Sequence, residues 1–477
     1  MNGTRRQPRR EQAVAWRRPL PGTWAGWAGL WAAAALLLMS AGARAQAPTA
    51  TQPQLAPPPL PERTAPPEAD APPTLTLEQA LERAQQVASS VVQAEGGVQV
   101  AQATRKAAVG AFLPSLSASA GVNFSSSARF DPNTNITVSG AATSVSAGLS
   151  ASWDVFNGFR RLADLKIADA GKVSAQADLE GQRRNVVYDT TVAYYEALRA
   201  GQVLEVAVSR IQRAEVGLMA ADRRHGVGAA TRSDLLRARL ELNAAKTAEL
   251  EARTQRRAAE LELGRLVGAE GAVRPLPGAR DGRSPRIDAR DALVDEILSS
   301  HPTLAAQRAS VTQADASLDG AYGAYWPSLR LSAGTDWFGR QPDFFPGQDS
   351  WSVRLGLSIP LFDGFARDVN TQRAKVQTRT SRAQLAEAER SVRTQAERAL
   401  DQLELAAERV ALSREAVVSA EEDLRVQQER YDLGVSTMLE LLTSQEALVA
   451  AENEEVAALF NQDLARAQLE ALTGRTP

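Results

Sequence analysis

The sequence predicts an α+β membrane protein in which a module of long antiparallel coiled-coil helices and transmembrane β-strands occurs twice in tandem. The first observation is the repetition: Val155 to Phe159 recurs as Leu361 to Phe365, an offset of 206 residues that persists to Gly268 and Gly474. The second is a pair of strand-like stretches with a period of two residues in each half. The third is a proline-free stretch after them that carries a heptad repeat. So long a period indicates one large duplicated module rather than a solenoid.

Composition excludes several classes of function. The chain has 477 residues and a formal net charge of -2, so it has no overall electrostatic attraction for nucleic acid. It contains no cysteine and two histidines, which excludes a disulfide scaffold and thiolate metal sites and argues against a histidine-rich metal centre. No phosphate-binding loop is present. We therefore expect no enzymatic activity, no metal and no cofactor.

The N-terminal 73 residues are predicted to lie outside the fold. Residues 1–45 have the pattern of a signal peptide: a basic region from Arg5 to Arg18, an apolar region from Ala28 to Met39 and a cleavage site after Ala45. An uncleaved membrane anchor is the alternative, since the apolar region approaches spanning length. Residues 46–73 are proline-rich and are predicted to form a disordered linker, because such a composition cannot build a packed core.

Each repeat is predicted to run helix, β-hairpin, long helix and shorter returning helix. Repeat 1 spans 74–268 and repeat 2 spans 289–474, and a Gly- and Pro-rich linker at 269–288 joins them. The hairpin, long helix and returning helix are expected at about 115–155, 158–225 and 233–266 in repeat 1, and at about 328–359, 364–432 and 437–472 in repeat 2.

The strand-like stretches alternate so strictly that every charge falls on one face. From 350 to 359 the odd positions are Trp, Val, Leu, Leu and Ile, and the even positions are small, polar or Arg354. From 328 to 337 the polar face carries Arg330 and Asp336. A sandwich strand also alternates, but a sandwich would need more than four strands to cover its apolar face. We therefore favour membrane strands, with the apolar face toward lipid and the three charges toward a lumen.

Four strands cannot close a membrane barrel, which needs about eight or more. An open strand edge in lipid is prohibitively costly, so the chain must share its barrel with other copies. Three copies would supply twelve strands, but the pattern alone does not choose that number.

The proline-free stretches predict helices about 100 Å long, at ~1.5 Å per residue. A seam with alternating spacings of four and three runs from Val392 to Leu424, and its copy runs from Val186 to Leu218. This spacing indicates a coiled coil, and its many alanines predict close helix packing. We expect the returning helix and the helix before the strands to stack end to end against the long helix.

Short motifs then indicate a family. Leu361-Phe-Asp-Gly364 follows a strand, Arg430-Tyr-x-x-Gly434 ends the long helix, and Leu441-Leu442 lies beyond it. With the signal peptide and the duplicated order of elements, they resemble the TolC-like outer-membrane efflux proteins over nearly the whole mature chain.

The resemblance implies a homotrimer in the outer-membrane lipid of a Gram-negative bacterium. Its three chains would share a twelve-stranded β-barrel, continued through the periplasm by an α-helical barrel. The tube would be an exit duct, for efflux of small molecules by a tripartite pump or for type I secretion of proteins. An inner-membrane transporter would drive it, and a periplasmic adaptor would dock on it.

The resemblance also implies site residues at the helix-hairpin ends. Glu440 matches an acidic position of a cation-selective periplasmic gate, and Tyr431 and Asp234 match a pair that braces the closed state. The arginine that joins this pair in the family falls at Ser436, so Arg232 or Arg430 would have to replace it. The adaptor-docking turns match Gly226, Val227, Gly228 and Ala229, and Leu433, Gly434, Val435 and Ser436.

Each gate residue also has a structural interpretation. Asp234 is placed to stabilise a helix N-terminus. Glu440 is equally compatible with a solvated face, and Tyr431 with a core position at the end of the seam. A trimeric adhesin or a periplasmic coiled-coil scaffold is the alternative function. A scaffold would wash off membranes, whereas a barrel trimer would require detergent.

Overall fold

The computed structural model of the chain describes residues 72–131, 136–277, 290–339 and 348–474. The predicted signal peptide, nearly all of the proline-rich linker and part of the inter-repeat linker lie outside the described residues. The elements of repeat 1 are β1 (Thr74–Leu75), α1 (Leu77–Val87), α2 (Ser89–Gly110), β2 (Ser115–Asp131), β3 (Ile136–Phe156), α3 (Arg160–Gly226) and α4 (Arg232–Leu266). The remaining elements are β4 (Arg274–Pro275), α5 (Arg290–Ser300), α6 (Pro302–Gly323), β5 (Ser328–Gly339), β6 (Gln348–Ser358), α7 (Ala366–Asp432) and α8 (Met438–Thr473).

Both long helices begin at an unusual backbone junction. Gly158 and Phe159 precede α3, and Gly364 and Phe365 precede α7, and all four have φ between 65° and 68°. A side chain in this left-handed region crowds the backbone, so the phenylalanines occupy it at some cost. Each phenylalanine ring packs edge-on against the phenylalanine three residues earlier, at 5.1 and 5.6 Å between centroids. The same turn from strand to helix is thus built twice.

The long helices organise the helical part of the protein. Both α3 and α7 have 67 residues, which is about 100 Å of helix. Helices α2 and α4 pack along α3, and helices α6 and α8 pack along α7. Helix α3 also packs on α6 and α8, so it joins the two repeats. Among the described residues, no helix is both long and apolar enough to span a membrane.

The predicted heptad seam is confirmed by burial. The buried seam residues of α7 are Val392, Ala396, Ala399, Leu403, Ala406, Val410 and Ser413. The buried seam residues of α3 are Thr190, Ala197, Ala200, Ala207 and Ala214. Small side chains dominate the α3 seam because that helix has packed neighbours from both repeats, and small residues let helix axes approach closely.

One antiparallel sheet joins the hairpins in the order β2-β3-β5-β6. Within the sheet, the repeats meet at the β3–β5 pair, in which Leu149 lies opposite Thr335 and Trp153 opposite Leu331. A bulge between Asp154 and Phe156 interrupts this pair. The strands of the first hairpin have 17 and 21 residues, longer than the ten-residue alternation seen in the sequence. Serine, alanine and glycine fill them, and such residues give little hydrophobic contrast between the faces.

The register keeps the two faces of the sheet distinct. In β5–β6, Leu329 lies opposite Leu357 and Leu331 opposite Leu355, on the face that also bears Trp351. This apolar face is open in the single chain, and Trp351 is 79% exposed. The polar face is held by hydroxyl pairs between β2 and β3, Ser115–Ser152 at 2.8 Å and Ser117–Ser150 at 2.7 Å.

Near the middle of α3, a compact cluster packs strands β1 and β4, at the two ends of repeat 1, against this helix. Strands β1 and β4 pair in parallel, a contact that the sequence did not suggest. The Tyr194 hydroxyl donates to the carbonyls of Leu276, at 2.6 Å, and Leu75, at 3.3 Å. Burial is the main cause that raises the pKa of Tyr194 to about 12, and Glu78 adds to it. The buried carboxylate of Glu260 pairs with Arg256 of α4 and Arg274 of β4, at 3.0 and 3.3 Å.

We expect the substitution Glu260→Ala to destabilise this cluster. It leaves two partly buried guanidinium groups without their carboxylate, so the free energy of unfolding falls by about 2 kcal/mol. The matched control is Glu262→Ala, which removes an exposed pair with Arg265 on the same helix and costs less than about 1 kcal/mol. Denaturant unfolding followed by circular dichroism measures both, and equal losses would contradict the assignment.

Candidate functional site

The ends of the two helix hairpins are built alike. We call the turn between α3 and α4, residues 227–231, the first tip, and the turn between α7 and α8, residues 433–437, the second tip. Gly228 and Gly434 have φ of 78° and 79°, which glycine adopts without steric cost. Val227 and Leu433 are 79% and 80% exposed, so each tip presents a large apolar side chain to its surroundings. The predicted docking segments therefore form exposed turns.

Asp234 and Glu440 lie in equivalent capping boxes. The Asp234 carboxylate accepts hydrogen bonds from the Thr231 hydroxyl and amide, at 2.7 and 3.1 Å. These hydrogen bonds, led by the one from the hydroxyl, lower the pKa of Asp234. The Glu440 carboxylate accepts from the Thr437 amide at 3.0 Å and the Ser436 hydroxyl at 2.8 Å, which lower its pKa in that order. Both acids thus stabilise a helix N-terminus, which was the structural interpretation of Asp234; for Glu440 the sequence had suggested a solvated face instead.

Tyr431 is a buried residue that joins the hairpins. Its side chain is 3% exposed and packs in a cluster drawn from α3, α4 and α8, comprising Ala220, Ala221, Ala238, Met438 and Leu441. Its hydroxyl has no hydrogen-bond partner among the described residues. Burial raises the pKa of Tyr431, and Arg224 opposes that effect. The core interpretation of Tyr431 therefore describes its place in the single chain, and a role in a gate remains a prediction.

Arg224 stands next to Tyr431 and contacts it directly. Its guanidinium lies 4.5 Å from the centre of the Tyr431 ring and donates a hydrogen bond to the Tyr431 carbonyl. It also donates to the Ala229 carbonyl of the first tip at 3.5 Å. Sequence reasoning considered Arg232 and Arg430 and missed Arg224. The contact crosses from α3 to α7, and the spacing along one repeat gives no signal for such a contact.

The predicted lumen charges share the polar face of the sheet. Arg330 pairs with Asp154 of β3 at 2.6 Å, which makes Asp154 a fourth charge that the sequence reasoning overlooked. Asp336 lies over Gly148, where a Cβ atom would collide with its carboxylate. Arg354 lies opposite Ser332. Across residues 72–131, 136–277, 290–339 and 348–474, no group of acidic and histidine side chains could hold a metal ion.

Comparison with known proteins places the chain in a family. The model of the family described as "Outer membrane efflux protein" matches residues 77–269 and 293–475, which are the two repeats. The chain belongs to the outer membrane efflux protein family. The predicted resemblance is therefore confirmed, and the two matched segments follow the duplication.

Individual relatives have low sequence identity to the chain but match it over more than half of its length. The outer membrane efflux protein BepC of Brucella suis is 25% identical over 84% of this chain and 85% of its own length. The alkaline protease secretion protein AprF of Pseudomonas aeruginosa is 28% identical over 61% of this chain and 62% of its own length. The crystal structure of CusC superposes with a TM-score of 0.75 at 16% identity, over 84% of this chain and 92% of that chain. The fold of this outer membrane efflux protein is thus that of the solved channels.

We expect Arg224→Ala to loosen the contact between the tips. The change removes a ring contact and a hydrogen bond, together about 2 kcal/mol of local stability. Hydrogen exchange of the amides in 431–437 is then expected to quicken by tenfold or more. The control is Arg223→Ala, since Arg223 is exposed and, among the described residues, donates a hydrogen bond only to the Met219 carbonyl of its own helix. Unchanged exchange in Arg224→Ala would contradict a joining role for this arginine.

Proposed function

We propose that the chain is one protomer of a trimeric outer-membrane duct that carries small molecules or proteins out of the cell. An inner-membrane transporter and a periplasmic adaptor are its proposed partners. BepC is named for efflux and AprF for secretion of a protease, so both classes of cargo have a related precedent. One observation carries the proposal: the surfaces that join the repeats within the chain recur, unpaired, on its two outer sides.

The sheet provides the first of these surfaces. The residues of β6 match those of β3 at the offset of 206, and those of β2 match β5 at the offset set by Leu116 and Leu329. Transferring the observed Leu149–Thr335 pairing to the outer strands sets Leu355 opposite Val122 of a neighbouring protomer. The apolar residues from Val353 to Leu357 then face the apolar residues from Ala120 to Phe124, on alternating positions, whereas a slip of one residue would reverse the faces.

The long helices provide the second surface. Ala163 and Ala170 of α3 are buried, and Gly320 of α6 lies close to Ala163. Their equivalents on α7 are Val369 and Val376, which are 47% and 60% exposed. These exposed valines lie at positions whose equivalents in α3 are buried. They favour a neighbouring protomer that covers α7 as α6 covers α3.

Close backbone approach provides the third. A Cβ atom on Gly158 would collide with the carbonyl of Gly323 at the end of α6. The equivalent residues, Gly364 and Gly110, have open space beside them in the single chain. A ring of protomers would bring Gly364 of one copy to Gly110 of the next, which accounts for glycine at both positions.

The strands and the family support three copies. Four strands per chain must be multiplied to reach a closed barrel of about eight strands or more, and three copies give twelve. The sheet would then lie in lipid, with Arg330, Asp336 and Arg354 facing the lumen. Glu440, Asp234 and Tyr431 would form the periplasmic gate, and the tips would take the adaptor. An adhesin or a scaffold explains these paired surfaces less well, because neither requires a hairpin in each repeat.

The transferred register makes a direct test possible. The chain contains no cysteine, so the double variant Val122→Cys, Leu355→Cys has no competing thiols. Opposite residues in an antiparallel pair lie about 5 Å apart, so we expect oxidation to link neighbouring chains into a covalent trimer. Denaturing electrophoresis of the heated, unreduced protein detects the product.

The control moves one cysteine out of register. Leu116→Cys with Leu355→Cys displaces the thiols by six residues, about 20 Å along the strand, and should leave the chains unlinked. Linking of both variants to the same extent, or of neither, would refute the proposed closure.

The gate is tested separately by Glu440→Gln. Glutamine keeps the capping box, so the variant removes charge with little change of structure. In planar bilayers we expect weaker cation selectivity and weaker block by multivalent cations, because both depend on negative charge at a constriction. The control is Glu446→Gln, an exposed acid on a different face of α8. Equal selectivity of the Glu440 variant and wild type would remove Glu440 from the gate.

A further inference from the structure

Positive charge on α7 is concentrated at the end next to the sheet. Its first 20 residues, 366–385, contain five basic residues and one acidic residue, a net charge of +4. The next 20 residues, 386–405, contain three basic and five acidic residues, and 406–425 contains the same numbers, so each stretch has a net charge of -2. A solvated coiled coil needs no such gradient, because mixed charges keep it soluble along its whole length.

A ladder of side-chain contacts shows which face of the helices these cations occupy. Three contacts between α6 and α7 recur every seven residues on both helices. They are Lys375 with the Tyr322 ring, at 5.8 Å to its centre, Arg382 with Asp315 at 3.0 Å, and Glu389 with Arg308 at 4.0 Å. Residues seven apart lie on one side of a coiled-coil helix, so the ladder marks a single face.

This face is the outer one. Arg308, at the end of the ladder farthest from the sheet, also donates a hydrogen bond to the Leu298 carbonyl of α5 at 3.2 Å. Helix α5 thus packs on this side of the layer of long helices. In a ring of such helices, additional short helices have room only on the outside, since on the inside they would close the duct. Lys375 therefore faces outward, and so does Arg379, which is exposed one helical turn further along.

The other end of the ladder lies at the level of an aromatic belt. Trp326, Phe362 and Phe365 lie between the strands and the long helices and are exposed. Exposed aromatic rings at the end of a membrane sheet mark the boundary between hydrocarbon and headgroups. Tyr322, also exposed, lies one helical turn from Trp326, about 6 Å further from the sheet. The Lys375 ammonium beside this ring is therefore at headgroup depth, since the headgroup layer is about 5–8 Å thick.

Lys375 and Arg379 are free to bind an anion. Among the described residues, neither takes part in an ion pair. Both side chains lean toward the N-terminus of α7, which is the end at the sheet, so they extend toward the headgroup phosphates. Their equivalents in α3 are Asp169 and Val173, so the duplication does not account for cations at these positions.

We propose that Lys375 and Arg379 bind the phosphate of an anionic phospholipid in the periplasmic leaflet of the outer membrane, at one site per chain. This inference rests on the proposed function, in which the sheet lies in lipid. It adds the class of lipid: a headgroup with net negative charge is preferred to a zwitterionic one, whose amine offsets its phosphate. The bound lipid holds the start of α7 at a fixed depth below the membrane.

Native mass spectrometry of the full-length trimer tests the inference. The protein is purified in a neutral detergent and mixed with short-chain phosphatidylglycerol or with phosphatidylcholine of the same chain length. We expect phosphatidylglycerol to bind about tenfold more tightly, with one tightly bound lipid per chain, because each cation near anionic lipid favours binding. Equal affinity for the two lipids would overturn the proposal.

A pair of double variants locates the site. Lys375→Gln with Arg379→Gln should lower the affinity for phosphatidylglycerol to that for phosphatidylcholine. The matched control, Arg393→Gln with Arg398→Gln, removes the same charge from exposed positions about 20 Å further along α7 and should bind like wild type. The same loss in both double variants would mean that only net charge matters, and the assigned site would be wrong.

Two further measurements separate the explanations. Glycerol 1-phosphate has the phosphate without acyl chains, and at equimolar concentration we expect it to leave phosphatidylglycerol bound. Displacement would indicate a site for a free phosphate and would overturn the lipid assignment. Conductance of the same preparation is recorded in planar bilayers. A protein that conducts without a lipid preference refutes this inference alone, whereas absence of conductance counts against the duct and, with it, against the lipid site.

Discussion

The backbone hydrogen bonds at the two edges of the sheet are the constraint on which the rest depends. In the described residues the ladder ends at β2 on one side and at β6 on the other. In hydrocarbon each unpaired N–H or C=O group costs several kcal/mol, so a sheet with free edges cannot remain there alone. The duplication supplies a partner for each edge. Strand β5 pairs with β3, so β2, which is equivalent to β5, is able to pair with β6, which is equivalent to β3. Each hairpin continues into a long helix through its strand-to-helix junction, so the same pairing of equivalent surfaces applies to the helices.

The two repeats share their backbone features and differ in side chains at the tips. The seam, the junction at Gly158 and Phe159 and the capping boxes recur almost unchanged, since each solves a local problem of backbone geometry. Arg224 contacts the Tyr431 ring, whereas His225, the equivalent of Tyr431, contacts the Ala230 carbonyl instead. Divergence of side chains on a preserved backbone allows one chain to build two different contacts at equivalent positions of its repeats.

Much of the fold could be predicted because it is periodic. The heptad seam from Val392 and the strict alternation around Arg354 each repeat a signal often enough to exceed chance. Strands β1 and β4 have two residues each, too few for any period, and Pro275 argues against a strand. At the tips, the sequence singled out Tyr431, Asp234 and Glu440, whose role in a gate stays a prediction. It missed Arg224 and Asp154, because those contacts join the two repeats and depend on how the repeats pack.

The identical length of α3 and α7 has a consequence for how such a protein can change. With 67 residues each, the two helices place their turns at the same distance from the sheet. Inserting a heptad in one repeat alone would move its turn about 10 Å further from the sheet, so the two turns would no longer lie at the same level. A longer or shorter protein of this kind can therefore arise only by matched changes in both copies. The distance that the helices span in the periplasm therefore depends on both repeats together.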